Sequence, residues 1–303
     1  MIRNLQDEIL NLKKEKKVTI LAHSYQSPDI LEIADFTGDS YKLSVVAKDL
    51  DCDTVVMCGV RFMAETVKML SPEKKVILPV SYATCPMAEQ ISPQRVLDFK
   101  KAHPDFVVVA YVNTTTALKA VCDVCVTSSS ALKIVKAIPQ KNILFIPDRN
   151  LGSYIQKMLP EKNVVVWDGC CPVHNAVTPE DCEAAKRMHP NAKILMHPEL
   201  PAEVLRYADL IGSTAAIIDY AKNTDEECII GTEKSIADYL NLIKPEGNYY
   251  QLSKKLICPD MRFTTLSDVF QALKGTGGEE IVLDPDMAEK ARKTIDEMIR
   301  LGQ

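Results

Sequence analysis

The sequence repeats one unit of about 87 residues three times. Three segments align without gaps: ILAHSYQSPDILEIADFTGDS, VVAYVNTTTALKAVCDVCVTS and ILMHPELPAEVLRYADLIGST. Each carries an aspartate at the same place, namely Asp35, Asp123 and Asp209. Beyond it, each copy continues through a strand, a helix and a Pro-Glu turn, and then closes on a Cys-Pro pair. Self-similarity at a fixed period constrains a fold strongly, because like units must pack against one another.

Within each unit, strand and helix patterns alternate. Apolar runs such as VTILA, VVVAYV and KILM are typical of parallel strands buried on both faces, whereas EIADF and FMAETVKML have helical spacing. Each copy therefore predicts strand, helix, short strand, helix, strand, helix, strand. We expect an α/β protein of three αβα units, each with a parallel sheet, related by a pseudo-threefold axis around a central site.

The repeat also predicts the domain limits. The first unit, with an N-terminal helix, is expected at 1–86, and the second at 87–172. The third is expected at 173–303 together with a C-terminal tail, in which TLSDVFQALKG and a segment beginning near Asp284 have helical patterns.

Charge and hydropathy exclude two classes of partner. The 36 basic and 41 acidic side chains are mixed along the chain, so no basic stripe indicates a nucleic-acid partner. The N-terminal stretch MIRNLQDEILNLKKEKK reads as a charged amphipathic helix, and no apolar run reaches about 18 residues, so we expect a cytoplasmic protein without a membrane span. Ten cysteines in a reducing compartment would be core thiols, metal ligands or reactive groups.

Polar side chains recur where the first strand of each unit ends. Ligands of open α/β sheets bind beyond the carboxyl ends of the strands. The recurring pairs, two residues apart, are His23 and Tyr25, Tyr111 and Asn113, and His197 and Glu199. A second set, formed by Ser40, Ser128 and Thr214, leads into predicted helices. Helix N-termini offer free N–H groups to carboxylate or phosphate oxygens; simple N-capping would explain one such residue, but three in register favour binding.

Three cysteines keep the register of the repeat: Cys85, Cys171 and Cys258, each followed by proline. Thiolates select zinc, copper(I) or iron-sulfur clusters. Structural zinc takes four closed ligands, and no fourth marker repeats, so three cysteines favour a site with an open position. A cluster held by three cysteines leaves one iron free to polarise substrate oxygens for dehydration. The alternative is that all three are buried core thiols before turn prolines.

The remaining thiols and one histidine need separate interpretation. Cys122 and Cys125 have the spacing of a metal pair, but their place in the repeat favours core packing. Cys170 adjoins Cys171 and competes with it as a ligand. His174 is either a hydrogen-bond partner of the site or a participant in it. The cysteines interpreted as core or incidental are Cys52, Cys58, Cys182 and Cys228.

Several blocks of the sequence resemble the quinolinate synthase family (quinolinate synthetase A). They include LAHSYQ at 21–26, IADFTGDS at 33–40, ATCPMA at 83–88, YVNTT at 111–115, GCCPVH at 169–174 and HPE at 197–199. The resemblance implies three pseudo-symmetric α/β domains around one 4Fe-4S cluster held by Cys85, Cys171 and Cys258. It also implies a transferase-type enzyme of NAD biosynthesis that condenses iminoaspartate with dihydroxyacetone phosphate, releasing phosphate and water to give quinolinate.

The resemblance further implies roles for site residues. The substrate-contacting set would be His23, Ser40, Tyr111, Asn113, Ser128, His197, Glu199, Ser213 and Thr214. Our mechanistic hypothesis is that Glu199 acts as general base and Tyr25 as proton donor or acceptor, with His23 and His197 positioning the substrates. Transient contact with the enzyme that supplies iminoaspartate is a further expectation. Two alternatives stay open: an iron-sulfur hydro-lyase for another small polycarboxylate, and a non-catalytic metal-binding module.

Overall fold

Each repeat folds into its own parallel sheet in the computed structural model, which describes residues 2–302. The first unit has strands β1 (Val18–His23), β2 (Phe36–Gly38), β3 (Thr54–Cys58) and β4 (Lys75–Leu78). Its helices are α1 (Ile2–Lys16), α2 (Pro28–Leu31), α3 (Ser40–Lys48) and α4 (Arg61–Leu70). A 3-10 turn at Pro86–Glu89 then leads into the second unit.

The second and third units repeat this order of elements. The second contains α5 (Pro93–Ala102), β5 (Val107–Tyr111), α6 (Thr116–Lys119), β6 (Val124–Val126), α7 (Ala131–Ala137), β7 (Asn142–Ile146), α8 (Arg149–Met158) and β8 (Asn163–Val166). The third contains α9 (Pro172–Asn175), α10 (Pro179–Met188), β9 (Lys193–Met196), α11 (Ala202–Leu205), β10 (Leu210–Ile211), α12 (Thr214–Asn223), β11 (Cys228–Gly231), α13 (Ser235–Ile243) and β12 (Tyr249–Gln251). The predicted alternation of strands and helices is confirmed in all three.

The strand orders match from sheet to sheet. The short second strand lies at one edge, next to the first strand, and the third and fourth follow: β2-β1-β3-β4, β6-β5-β7-β8 and β10-β9-β11-β12. All these pairs are parallel. Most residues of the first and third strands are buried, because helices cover both faces. The predicted fold class of three parallel-sheet α/β units is therefore confirmed.

The repeated aspartates tie the short strand of each sheet to its neighbour. A carboxylate oxygen of Asp35 accepts a 2.8 Å hydrogen bond from the backbone N–H of Ile20, and the backbone N–H of Asp35 donates to the carbonyl of the same residue. Asp123 repeats both bonds with Val108, and Asp209 repeats them with Ile194. The most obvious marker of the repeat is thus structural, and it fixes where the short strand begins.

The C-terminal tail returns to the first two units. It consists of α14 (Pro259–Arg262), α15 (Leu266–Lys274), β13 (Glu279–Glu280) and α16 (Pro285–Gly302). β13 adds an antiparallel strand beside β4, α15 packs against α1, and α16 packs against α4, α6 and α7. Both predicted tail helices are confirmed. Among the described residues, no helix is long and apolar enough to cross a bilayer.

Candidate functional site

Residues from all three units line one cavity of about 390 Å³. It lies at the carboxyl ends of β1, β5 and β9, as expected for open α/β sheets. The sequence-predicted residues that line it are His23, Tyr25, Ser40, Cys85, Tyr111, Asn113, Ser128, Cys171, His197, Glu199, Thr214 and Cys258. Side chains separated by more than 200 positions in the sequence are thus brought to one place by the packing of the three sheets.

The three cysteines that keep the register of the repeat (the register cysteines), Cys85, Cys171 and Cys258, line the cavity and share the same local backbone conformation. Each has an extended backbone and precedes a proline that opens a short helical turn. Proline suits this position because its fixed φ fits the first residue of a helix and its missing N–H is not needed there. All three thiols are free. Burial raises the pKa of Cys85 to about 12 and that of Cys258 to about 11, and it also raises the pKa of Cys171.

The spacing of possible ligands separates two kinds of metal site. Within residues 2–302, the group of three possible ligands whose donor atoms all lie within 4.8 Å of one another is Cys171, His174 and Glu199. The three register cysteines do not form such a group. A single ion needs tightly clustered donors, whereas a cluster of several irons is held by thiolates spread around it. Three convergent soft donors on three separate units therefore fit an iron-sulfur cluster.

Two buried carboxylates lie behind two of these cysteines. A carboxylate oxygen of Asp148 accepts a 3.0 Å bond from the N–H of Cys171, and Glu233 accepts a 3.3 Å bond from the N–H of Cys258. Both side chains are fully buried. Burial raises the pKa of Asp148 to about 7. Val60 is the N-cap residue of α4 in the first unit, as Asp148 is of α8 in the second, so among residues 2–302 a carboxylate stands at this place in two of the three units.

His23 and His197 are held in the same tautomer. The Nδ1 atom of His23 accepts a 3.1 Å bond from the backbone N–H of Tyr25, and Nδ1 of His197 accepts a longer, 3.4 Å bond from the N–H of Glu199. A neutral ring that accepts at Nδ1 carries its proton at Nε2. Burial lowers the pKa of both histidines to about 4, so both rings are neutral near pH 7. Each Nε2–H is therefore a donor to an uncharged or negative oxygen.

Glu199 is a buried carboxylate that lines the cavity. One of its oxygens lies 2.9 Å from Nδ1 of His174, and Tyr111 also hydrogen-bonds to it. Burial alone would raise the pKa of Glu199, but His174, His197 and the hydrogen bonds lower it to about 2. Glu199 is thus ionised at neutral pH, and hydrogen bonds from neighbouring side chains stabilise its negative charge.

Tyr25 reaches across the cavity to the third unit. Its phenol oxygen lies 2.8 Å from Oγ1 of Thr232 and 3.0 Å from Oγ1 of Thr214. Thr232 in turn lies 3.1 Å from Nε2 of His174. Burial raises the pKa of Tyr25 above its usual value, so the phenol keeps its proton in the resting site.

Two of the three predicted helix starts are confirmed. Ser40 is the first residue of α3, behind the N-cap Asp39, and Thr214 is the first residue of α12, behind Ser213. The prediction for Ser128 was wrong, because α7 begins three residues later. The N–H of Thr127 donates to the side chain of Ser130, which closes a turn ahead of the helix.

One polar atom of the cavity wall has no partner. The amide oxygen of Asn113 is buried and accepts no hydrogen bond from the residues that the structure describes. A buried acceptor without a donor is costly, so it indicates a ligand group that donates to it. An N–H or O–H of a bound substrate would satisfy this atom.

Other predicted residues lie outside the cavity. Ser213 accepts from the N–H of Ala216 as the cap of α12 and does not line the cavity, nor does Cys170. Cys122 and Cys125 are buried core thiols, as predicted, and they hydrogen-bond to Leu118 and Thr294 respectively.

The sequence did not predict a further set of residues at or behind the site, namely Asp39, Asp148, Thr232, Glu233 and Lys255. For Asp148 and Glu233 a signal existed, since both follow the third strand of their units.

The sequence is similar to those of known proteins over nearly its whole length. Residues 7–300 match the model of the family described as Quinolinate synthetase A protein. The quinolinate synthase of Clostridium acetobutylicum is 46% identical over 305 residues, and that of Clostridioides difficile is 45% identical over 304; both alignments cover 100% of each chain. The quinolinate synthase of Alkaliphilus metalliredigens is 44% identical over 299 residues, 98% of each chain. The similarity extends over all three repeats and the tail.

Proposed function

Since this chain belongs to the quinolinate synthetase A family, we propose that it condenses iminoaspartate with dihydroxyacetone phosphate to form quinolinate. Phosphate and water leave in this reaction, which makes the protein a transferase-type condensing and dehydrating enzyme of NAD biosynthesis. The observation that carries the proposal is that three free cysteines, one from each unit, open into the cavity that also holds the polar residues of all three units.

Cys85, Cys171 and Cys258 would hold the 4Fe-4S cluster. When bound, the cluster supplies a Lewis-acidic iron that polarises substrate oxygens for loss of water. Because burial keeps the free thiols protonated near neutral pH, loading releases protons from them, and it should become more favourable as the pH rises.

The walls of the cavity suit small anionic substrates with a nitrogen. The unpartnered oxygen of Asn113 would accept from the N–H of iminoaspartate. The N-termini of α3 and α12, at Ser40 and Thr214, face the cavity and offer backbone N–H groups to carboxylate or phosphate oxygens. Ser128 lines the same cavity from a turn and would contribute a hydroxyl, whereas Ser213 would act through the cap of α12.

The acid-base groups are already in useful protonation states. Glu199 is ionised and so can accept a proton, and Tyr25 is a protonated phenol that can donate. The neutral His23 and His197 would donate from Nε2 to substrate oxygens and stabilise negative charge that develops there. Tyr111 donates to Glu199 and would keep its charge oriented.

The direct test is an anaerobic assay with iminoaspartate and dihydroxyacetone phosphate, with quinolinate measured as product. The proposal expects quinolinate from these two substrates together and none when either is omitted. Dehydration of another small polycarboxylate, without quinolinate, would indicate the hydro-lyase alternative and contradict the proposal. A protein that turns over neither and binds one zinc at Cys171, His174 and Glu199 would be a metal-binding module.

Two further parts of the proposal concern the cellular setting. Ten free cysteines fit a reducing compartment, so we place the protein in the cytoplasm. Imines hydrolyse in water, and a transient contact with the enzyme that supplies iminoaspartate would shorten the exposure of that substrate. Cross-linking of the two enzymes during turnover would test this contact.

A further inference from the structure

A fully buried lysine holds the backbone on both sides of Asn113. Nζ of Lys119, a residue that is 0% exposed, donates a 2.8 Å hydrogen bond to the carbonyl of Val112 and a second bond to the carbonyl of Thr114. The N–H of Thr114 donates to the same carbonyl of Val112 at 2.8 Å, so the chain turns tightly at Asn113. Asn113 lines the cavity and Lys119 does not, so the lysine holds this turn from outside the cavity.

The helix that carries this lysine is also held by the first unit. Nζ of Lys119 lies over the ring of Phe62 in α4, 5.5 Å from its centre, and the face of an aromatic ring attracts an ammonium group. Three residues along each helix, a carboxylate oxygen of Glu65 accepts bonds from the N–H and the hydroxyl of Thr116, at 3.2 and 2.6 Å. These contacts join α6 to α4, so two units together set the position of Nζ.

The first and third units hold the corresponding loops in another way. Nδ1 of His23 accepts a bond from the backbone N–H of Tyr25, and Nδ1 of His197 accepts one from the N–H of Glu199. In the second unit the place of the histidine is taken by Tyr111, and a phenol ring has no nitrogen that could accept. The loop after β5 therefore cannot make this bond.

The second unit differs from the other two at the position of Lys119 as well. The counterparts of this residue in the repeat are Leu31 and Leu205, which are buried and cannot donate a hydrogen bond. Burying an amino group is costly unless acceptors replace the lost water, and the two carbonyls beside Asn113 do so. A lysine at a place that is otherwise apolar indicates a requirement of this loop alone.

We propose that Lys119 is a positioning residue that takes the place of the missing imidazole bond and directs the amide oxygen of Asn113 towards the N–H of the bound imine. The inference rests on the proposed function, because it takes iminoaspartate to be the donor. Since Asn113 lies between the two carbonyls that Lys119 holds, a rotation of this turn would move the amide oxygen away from the substrate. Lys119 thus acts through Asn113.

The test compares Lys119→Met, which keeps the length of the side chain but cannot donate, with Lys119→Gln, which keeps an NH2 group. Iminoaspartate is formed in the assay from oxaloacetate and ammonium, and each substrate is varied separately. We expect Lys119→Met to raise KM for iminoaspartate about 5-fold to 10-fold, with kcat, KM for dihydroxyacetone phosphate and iron content within about twofold of wild type. Lys119→Gln should raise KM for iminoaspartate less than about threefold.

Two comparisons separate positioning from a general effect on structure. In an Asn113→Ala background, Lys119→Met should change KM for iminoaspartate less than about twofold, because the group that it positions is gone. Lys74→Met is the matched control, since Lys74 is also buried and donates to two backbone carbonyls, those of Leu50 and Cys52, but lies outside the cavity. Its KM values should equal those of wild type.

Failure of the inference can be distinguished from failure of the proposed function. A wild-type protein that makes no quinolinate would contradict both. If wild type makes quinolinate, the inference alone is contradicted when KM for iminoaspartate is unchanged in Lys119→Met, rises equally for both substrates, or rises as much in the Asn113→Ala background. If Lys119→Met loses its iron, Lys119→Leu, which carries the residue of the other two units, is measured instead. Loss of iron in both would mean that the lysine serves folding, which also contradicts the inference.

Discussion

At the residue scale, the cavity places neutral histidine donors near the ionised Glu199. Backbone N–H groups fix the tautomers of His23 and His197, and burial keeps both rings uncharged. Both rings can therefore donate hydrogen bonds to substrate oxygens while they are uncharged. The period-2 pairs of the sequence predicted these residues, because side chains two apart at a strand end point the same way.

Glu199→Gln tests the base directly. The amide keeps the size of the side chain but cannot take a proton, so we expect kcat to fall at least about 100-fold with iron content unchanged. Glu203→Gln, at an exposed position of the following helix, is the matched control and should behave as wild type. A Glu199→Gln protein that keeps its iron and nearly full turnover would remove Glu199 from this role.

The buried histidines also predict a pH dependence of stability. In the unfolded chain, His23 titrates near 6.5, whereas the folded pKa is about 4. Between these values the unfolded state binds a proton that the folded state does not, so the free energy of unfolding falls as the pH drops from 6.5 towards 4. Asp39 and Glu199 face this ring and favour its charged form, and burial outweighs both.

Replacing His23 by Gln should remove about 2 kcal/mol of the change in unfolding free energy between pH 7 and pH 5. Urea unfolding of the metal-free protein at both pH values measures the difference. Replacing the exposed His103 by Gln is the control and should leave the change as in wild type. An unaltered pH dependence in His23→Gln would mean that this ring titrates normally in the folded protein.

At the element scale, the three repeated aspartates link neighbouring strands by hydrogen bonds. Asp35, Asp123 and Asp209 each bond to the N–H of the neighbouring first strand at 2.8 Å. This bond holds the short strand at the sheet edge and so fixes the segment that leads towards Ser40, Ser128 and Thr214. The sequence showed the register of these aspartates but not their partners, because the partner is a backbone N–H that any residue carries.

Asp123→Ala should lower the free energy of unfolding by about 1 to 3 kcal/mol, since a backbone N–H loses a charged acceptor. The variant also loses the 2.7 Å ion pair with Lys100, in which the two side chains are 33% and 38% exposed, and such a solvent-accessible pair adds little. Urea denaturation measures the loss, with Asp51→Ala at an exposed position as the control. Unchanged stability in Asp123→Ala would show that solvent replaces the carboxylate.

The start of α7, the helix after β6, is one point at which the repeat predicted the structure wrongly. The register placed Ser128 at a helix start, but the side chain of Ser130 turns back to the N–H of Thr127 and delays the helix. Such local competition between a serine side chain and the helix backbone has no periodic signature. Two units thus offer a helix N-terminus to the cavity, and the second unit offers a turn.

At the scale of the whole molecule, the repeat predicted three sheets and the meeting of three cysteines. The placement of the tail was not predictable, since α16 follows the third unit in sequence but packs against the first two. Contacts such as Tyr25 with Thr232, 207 positions apart, depend on how the units pack and leave no local pattern. Such contacts are visible only once the units are assembled.

The measurement that tests the central claim is iron and acid-labile sulfide analysis of the protein purified without oxygen. If one cysteine from each unit holds a shared cluster, wild type should contain about four irons and about four sulfides per chain. Cys85→Ser should lose most of both, whereas Cys170→Ser, beside a proposed ligand but outside the cavity, should keep them. One zinc per chain without sulfide, or full iron in Cys85→Ser, would contradict the account.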